Sequence, residues 1–173
     1  MEHSACFIGH RKINNTPELR TKLNQILIEL VKNGTVNFIF GDHSEFDDLC
    51  YYAVTELQEM YPHIKRIKFR KDYENTNDYT MQLLMTGYEE NICPKGVGSA
   101  GYASYVERNQ AMIRESDVCV FYYSKNYTPQ LHHIIKKSNY GIMLPVRNNI
   151  PKSGTKIAYD YAVKCKKKII NLY

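Results

Sequence analysis

Short, nearly uninterrupted apolar runs alternate along this chain with stretches whose apolar residues recur every three to four positions. Residues 4–8 contain Ala5, Cys6, Phe7 and Ile8 in succession, and Gly9 punctuates the end. Such a run predicts a short central strand, buried on both faces. Thr16 then stands as the N-cap of a helix, with Pro17 at its first position and Glu18 in its first turn. Leu19, Leu23, Ile26, Leu27, Leu30 and Val31 share one face of it, and "KNG" at 32–34 stops it. "TVNFIFG", 35–41, is a second strand. Ser44, followed three residues later by Asp47, caps a second helix whose inward face is Leu49, Ala53, Leu57 and Met60 and whose end Pro62 marks. "IKRIKF", 64–69, is a third strand, partly polar and therefore nearer an edge.

Residues 71–101 have no clean period and predict a loop with a short helix around 81–85. "YVERNQAMIRES" is helical by the spacing of Val106, Asn109 or Gln110, and Ile113, and it leads into "DVCVFYY", 117–123, the most strongly buried strand. The 124–152 stretch is too long for an ordinary connection and reads as an insertion with a helical piece near 132–136. "SGTKIAYDYAVKC" forms the last helix, with Ile157, Ala158, Tyr161, Ala162 and Cys165 facing inward, and "KKIINL" the closing strand. This alternation implies one α/β domain over 1–173, with a doubly wound, largely parallel sheet of Rossmann-like topology and helices on both faces.

Composition narrows the class. No apolar run approaches the roughly 18 residues of a membrane span, and "MEHSACFIGHR" lacks the basic and apolar regions of a signal peptide, so a cytoplasmic protein is expected. The five cysteines are odd in number and contain no CxxC pair, which indicates reduced, mostly buried thiols and no zinc site. A net charge of +5 suits phosphate-bearing ligands and is small for a dedicated nucleic-acid binder. The basic run at 164–168 falls at a helix end, where lysines favour the dipole, and reads as a solvated face.

"CPKGVGSAGY" holds Gly96, Gly98 and Gly101 in the GxGxxG spacing of a dinucleotide-binding turn. That turn works when a buried strand runs into the glycines and a helix starts beneath them. The preceding "GYEENICPK" is polar and ends beside a proline, so a glycine-rich loop is the reading here. In a doubly wound sheet the ligand sits outside the carboxyl ends of the strands. Three segments converge there. Gly9, His10 and Arg11 leave the first strand and offer cationic or hydrogen-bonding groups to phosphate. Gly41 to Asp47 leave the second, Asp47 being either a helix N-terminal carboxylate or a ligand contact. Ser153, Gly154 and Thr155 open the last helix and present N–H groups and hydroxyls to an anion.

These residues carry a resemblance. "CFIGHR", the "FD" of the second helix, "ERNQAMIRESDVCVFY", "SGT" and "AYDYAVKCKKKIINL" resemble the SLOG superfamily, the Rossmann-like fold of Lonely Guy proteins and the DprA core. Within it the chain is most similar to small YspA-like and YpsA-like proteins of bacteria and phages. The resemblance implies a nucleotide or nucleotide-derived ligand, with Ser153, Gly154 and Thr155 on the phosphate, Arg11 and Arg108 neutralising charge, and Asn109 beside Arg108. Asp47 or a tyrosine would contact ribose or base. It also implies a homodimer, and no metal or redox cofactor. Lonely Guy members cleave the N-glycosidic bond of nucleoside 5′-monophosphates, using an Arg-Lys pair followed by Met and a later PGGxGTxxE. Arg108, Asn109 and Met112 resemble the first motif and Ser153–Gly154–Thr155 the second, but Ala158 stands where the hydrolase has its glutamate. Asp160 lies about 200° further around the helix, a poor substitute. Asp47 or Glu107 could supply a carboxylate from another segment. A sensor or binding module is therefore expected, with the N-glycosidase as alternative and single-stranded nucleic-acid binding, opposed by the modest charge, as a third reading.

Overall fold

A computed structural model describes residues 3–41, 44–71, 86–98, 101–127 and 153–173. The expected helices at 81–85 and 132–136 and nearly all of the expected 124–152 insertion lie outside these residues. The described chain forms β1 (His3–Gly9), α1 (Pro17–Lys32), β2 (Thr35–Phe40), α2 (Glu45–Met60), β3 (Lys65–Phe69) and β4 (Glu90–Ile92). It continues through α3 (Gly101–Glu115), β5 (Val118–Tyr122), α4 (Gly154–Lys164) and β6 (Lys168–Asn171). Six described strands make one parallel sheet in the order β4-β3-β2-β1-β5-β6.

The continuous apolar runs follow from this layering, because successive side chains of a strand point to opposite faces and both faces are covered. Phe7, Phe38, Phe40 and Val120 pack under α1 and α2. Cys6, Ile8, Ile39, Cys119 and Phe121 pack with Ala111 and Met112 of α3 and Ala158 and Ala162 of α4. The helix starts form as the capping residues dictate. Thr16 accepts the Leu19 N–H at 3.2 Å, and Ser44 accepts the Asp47 N–H at 3.0 Å.

Five expectations need correction. Met60, at the last position of α2, is 66% exposed, and Cys165 is exposed because it follows the last turn of α4. A strand does precede the glycines: β4 is three residues long, pairs with β3 at the sheet edge, and is too short and polar to show as an apolar run. The inward face of α3 is Ser104, Arg108, Ala111, Met112 and the expected Ile113, while Val106 is only half-buried. The basic run is not wholly solvated. Lys167 Nζ donates to the carbonyls of Arg114 and Ser116 at 2.9 and 2.7 Å and so caps the carboxyl end of α3.

Gly9 is fixed by packing. A Cβ there would lie 2.4 Å from Cβ, Cγ and Cδ1 of Phe46, which is fully buried and cannot swing aside. Gly9→Ala should therefore lose about 1–3 kcal/mol, the usual range for overpacking. Circular-dichroism melts check this; an unchanged Tm would mean that α2 moves away freely.

Candidate ligand site at the carboxyl edge of the sheet

The chain winds from β1 outward through β2, β3 and β4, then returns to the other side of β1 for β5 and β6. The order therefore switches at β1, and the crevice beyond the carboxyl ends there is where this fold receives ligands. Gly9 lies at that point with a helix start on either side. Phe46 in the first turn of α2 covers one side, and Thr155 in the first turn of α4 donates from Oγ1 to the Gly9 carbonyl at 2.9 Å. The Thr155 hydroxyl thus has a protein acceptor. Ser153 is the N-cap of α4, yet its side chain makes no capping hydrogen bond, and Gly154 begins the helix.

One strand over, Gly41 leaves room for a cation. A Cβ there would come within 2.9 Å of Nη2 and 3.1 Å of Cζ of Arg108, whose residue is only 5% exposed. Arg108 also donates to Asn109 Oδ1 at 3.0 Å and lies 5.5 Å from the centre of the Tyr105 ring. Tyr105 in turn accepts from Lys71 Nζ at 3.1 Å. Asp47 completes the group. Its Oδ2 accepts the Ser44 hydroxyl at 2.9 Å, and its Oδ1 is buried with no partner among the described residues. Burial pushes this carboxyl from the usual 3.8 up to about 7, against the Ser44 hydrogen bonds and the Arg108 charge, which pull it down. A buried carboxyl near neutrality, within electrostatic reach of a buried guanidinium, is a combination that functional sites concentrate.

On the β5 side, His10 is buried at 1% exposure. Its backbone N–H donates to Tyr122 O at 3.3 Å, and its ring stacks on Tyr127 with centroids 3.7 Å apart. Burial pushes its pKa down from 6.5 to about 4, so His10 is a neutral group at physiological pH and offers hydrogen bonds only, where its sequence context had allowed a cation. Arg11, by contrast, is exposed, and its carbonyl accepts the Glu45 N–H at 3.0 Å. Glu45 also pairs with Lys12 and accepts the Ile13 N–H, which ties the loop after β1 to α2.

The structure thus gathers Gly9, His10, Thr155 and the start of α4 at β1, and Gly41, Asp47, Arg108 and Asn109 at the adjoining β2. Two contributors were missed from the sequence. Ser124 donates its N–H to His10 Nε2 at 2.9 Å, and the Asn171 amide pairs with both Tyr123 N–H and Tyr123 O at 3.0 and 2.9 Å, adding a rung to the sheet beyond β5. The rule that points to strand ends would have found Ser124, since "DVCVFYY" stops one residue before it. The glycine loop is spent otherwise: Gly98 N–H is held by Glu107 Oε2 at 2.9 Å, and Gly96, at φ +82°, faces open space. An open cleft of about 420 Å³ lies between α3 and the sheet, lined by Ile39, Ile67, Phe69, Ile92 and Arg114. None of the candidate residues lines it.

Among the described residues no helix is long and apolar enough to cross a membrane, and no three His, Cys, Asp or Glu side chains are grouped to hold a metal. Sheet order and layering define a Rossmann-like α/β fold. Among solved structures the chain is similar to DNA processing protein A (DprA) from Streptococcus pneumoniae, with a TM-score of 0.55 and 11% identity over 97% of this chain and 49% of that one. The chain spans about half the length of that protein, and the likeness establishes a DprA-like fold. No family model and no curated protein matches it.

Proposed function

We propose that this domain binds a nucleotide or nucleotide-derived ligand at the carboxyl edge of its sheet, as a sensor or binding module of the YspA-like and YpsA-like kind. The observation that carries the reading is the buried Arg108 guanidinium lodged against Gly41, with its charge reaching the Asp47 carboxyl. A guanidinium suits phosphate through charge-assisted hydrogen bonds, and the orphan Asp47 Oδ1 suits a ribose hydroxyl. The start of α4 and Arg11 support the same anion.

Asp47 also favours a second reading, nucleotide N-glycosidase, since a carboxyl near neutrality can assist departure of a base. Ala158 opposes it, being packed in the core at 2% exposure, and Asp160 is exposed and paired with Lys156 at 2.6 Å. The name of DprA, a DNA processing protein, raises single-stranded nucleic acid as a third ligand, which steep salt dependence would reveal.

A thermal-melt screen against nucleoside mono- and diphosphates, ADP-ribose, NAD and cyclic dinucleotides tests the proposal. A ligand at about 100 times its Kd stabilises by about 2.7 kcal/mol, which for this size means roughly 5–10 °C. Free base in the stabilised mixture would make the domain a hydrolase. A flat screen would overturn the small-nucleotide reading.

A further inference from the structure

His10 is the most deeply buried polar side chain of the site, yet its Nδ1 has no hydrogen-bond partner among the described residues. The neighbouring strand end fixes which nitrogen carries the proton. Because the Ser124 N–H donates to Nε2 at 2.9 Å, Nε2 must present a lone pair, and the proton of the neutral ring sits on Nδ1. A half-turn of the ring would keep its stack on Tyr127 but put a carbon where Nε2 accepts the Ser124 N–H, so that hydrogen bond fixes the orientation as well as the proton. A buried donor without an acceptor is unfavourable, and an acceptor oxygen from outside the chain relieves it.

The ring lies on the α4 side of the sheet. Side chains alternate along a strand, and a Cβ at Gly9 would point at Phe46 of α2, so His10 belongs to the opposite face. Its neighbour Tyr123, 5.8 Å between ring centres, packs on Tyr159 of α4 at 4.6 Å. The Gly9–His10 peptide is itself bonded to α4 through Thr155. The amino end of this 11-residue helix carries N–H groups that the Ser153 side chain leaves uncapped. We infer that the Nδ1–H of His10 and the amino end of α4 form one oxyanion subsite, which takes the phosphate monoester of the ligand. The choice of ligand rests on the function proposed above; the subsite itself rests on His10 and α4.

Long-range ¹H–¹⁵N spectra of the full chain, titrated with inorganic phosphate and with adenosine 5′-monophosphate, read His10 directly. The expected result is a protonated Nδ1 in the free protein that shifts with both anions. His10→Gln keeps an acceptor for the Ser124 N–H in its amide oxygen but brings no donor to the Nδ1 position, and should weaken binding of both anions by roughly tenfold or more. His10→Asn keeps a donor near Nδ1 and releases Ser124, and should stay within about threefold of wild type. A proton on Nε2, or an Nδ1 signal indifferent to both anions, would overturn the subsite. An equal loss of adenosine and nucleotide binding in His10→Gln would also overturn it, because the acceptor would then lie on the nucleoside. A phosphate response without nucleotide binding upholds the subsite and removes the nucleotide reading. The wild-type titration decides the matter whether or not either variant folds.

Discussion

Asp47→Asn should turn a nearly flat profile of stability against pH into a rising one. Below pH 3.8 Asp47 is protonated whether the chain is folded or not, and as the pH climbs toward about 7 the unfolded chain ionises first. The folded state then holds more protons, so stability falls, by up to about 4 kcal/mol at about 1.36 kcal/mol for each pH unit between the two values. His10 runs the other way. Between about 4 and 6.5 the unfolded chain binds a proton that the buried ring refuses, so stability rises with pH by up to about 3 kcal/mol. Across their shared window the two nearly cancel. Glu89, held down to about 2 by its hydrogen bonds to Arg66 despite its partial burial, starts to lose its contribution below its ordinary 4.5 and so touches only the acid edge of that window. The amide variant keeps an acceptor for Ser44 and removes one of the opposing slopes, leaving a rise of about 3 kcal/mol, or roughly 6–12 °C in Tm. Melts at half-unit steps from pH 4 to pH 8 measure it. A variant profile parallel to that of wild type would mean that Asp47 ionises normally in the folded domain.

Arg108→Met should weaken binding of the ligand found in the melt screen by roughly 10- to 150-fold, the range for hydrogen bonds to a charged group. The methionine keeps an apolar stem of similar length at this buried position of α3, so folding suffers less than binding. Removing the cation also removes one of the influences that lower the Asp47 pKa, so the upper limit of the falling limb should move above pH 7. Gly41→Ala is the complementary test. The three atoms nearest its Cβ all belong to the far end of the Arg108 side chain, which can shift, in contrast to the rigid Phe46 that faces Gly9. The expected outcome is displaced guanidinium, weakened binding and nearly unchanged Tm. Affinity equal to wild type in both variants would separate Arg108 from the site.

Most of the scaffold was legible because its signals are local. Continuous apolar runs mark β1, β2 and β5, and the caps at Thr16 and Ser44 are set by residues within four positions. What escaped notice depends on distant neighbours or on short, polar segments. β4 is held by pairing with β3 and not by its own residues. Arg108 breaks the apolar pattern of α3, so a face drawn through Val106 and Ile113 leaves out the buried charge at its middle. The proton position on His10 is imposed by Ser124, 114 positions away. The site was therefore visible as a place, the strand ends with Gly9, Gly41 and Ser153–Thr155, while the protonation states that give it chemistry were not.

The central position of β1 has a consequence for the order in which the domain can be made. Its first edge pairs with β2 soon after synthesis, but the Cys6 rung of its second edge waits for Cys119. At about 5–20 residues per second, those 113 positions correspond to roughly 6–23 s on the ribosome. During that interval a row of unpaired backbone groups flanked by Ala5, Cys6, Phe7 and Ile8 is open to any passing strand. The Asn171 amide that holds Tyr123, one residue before Ser124, emerges later still. The nascent chain thus carries its most aggregation-prone edge longest, and its ligand site is among the last parts to be completed.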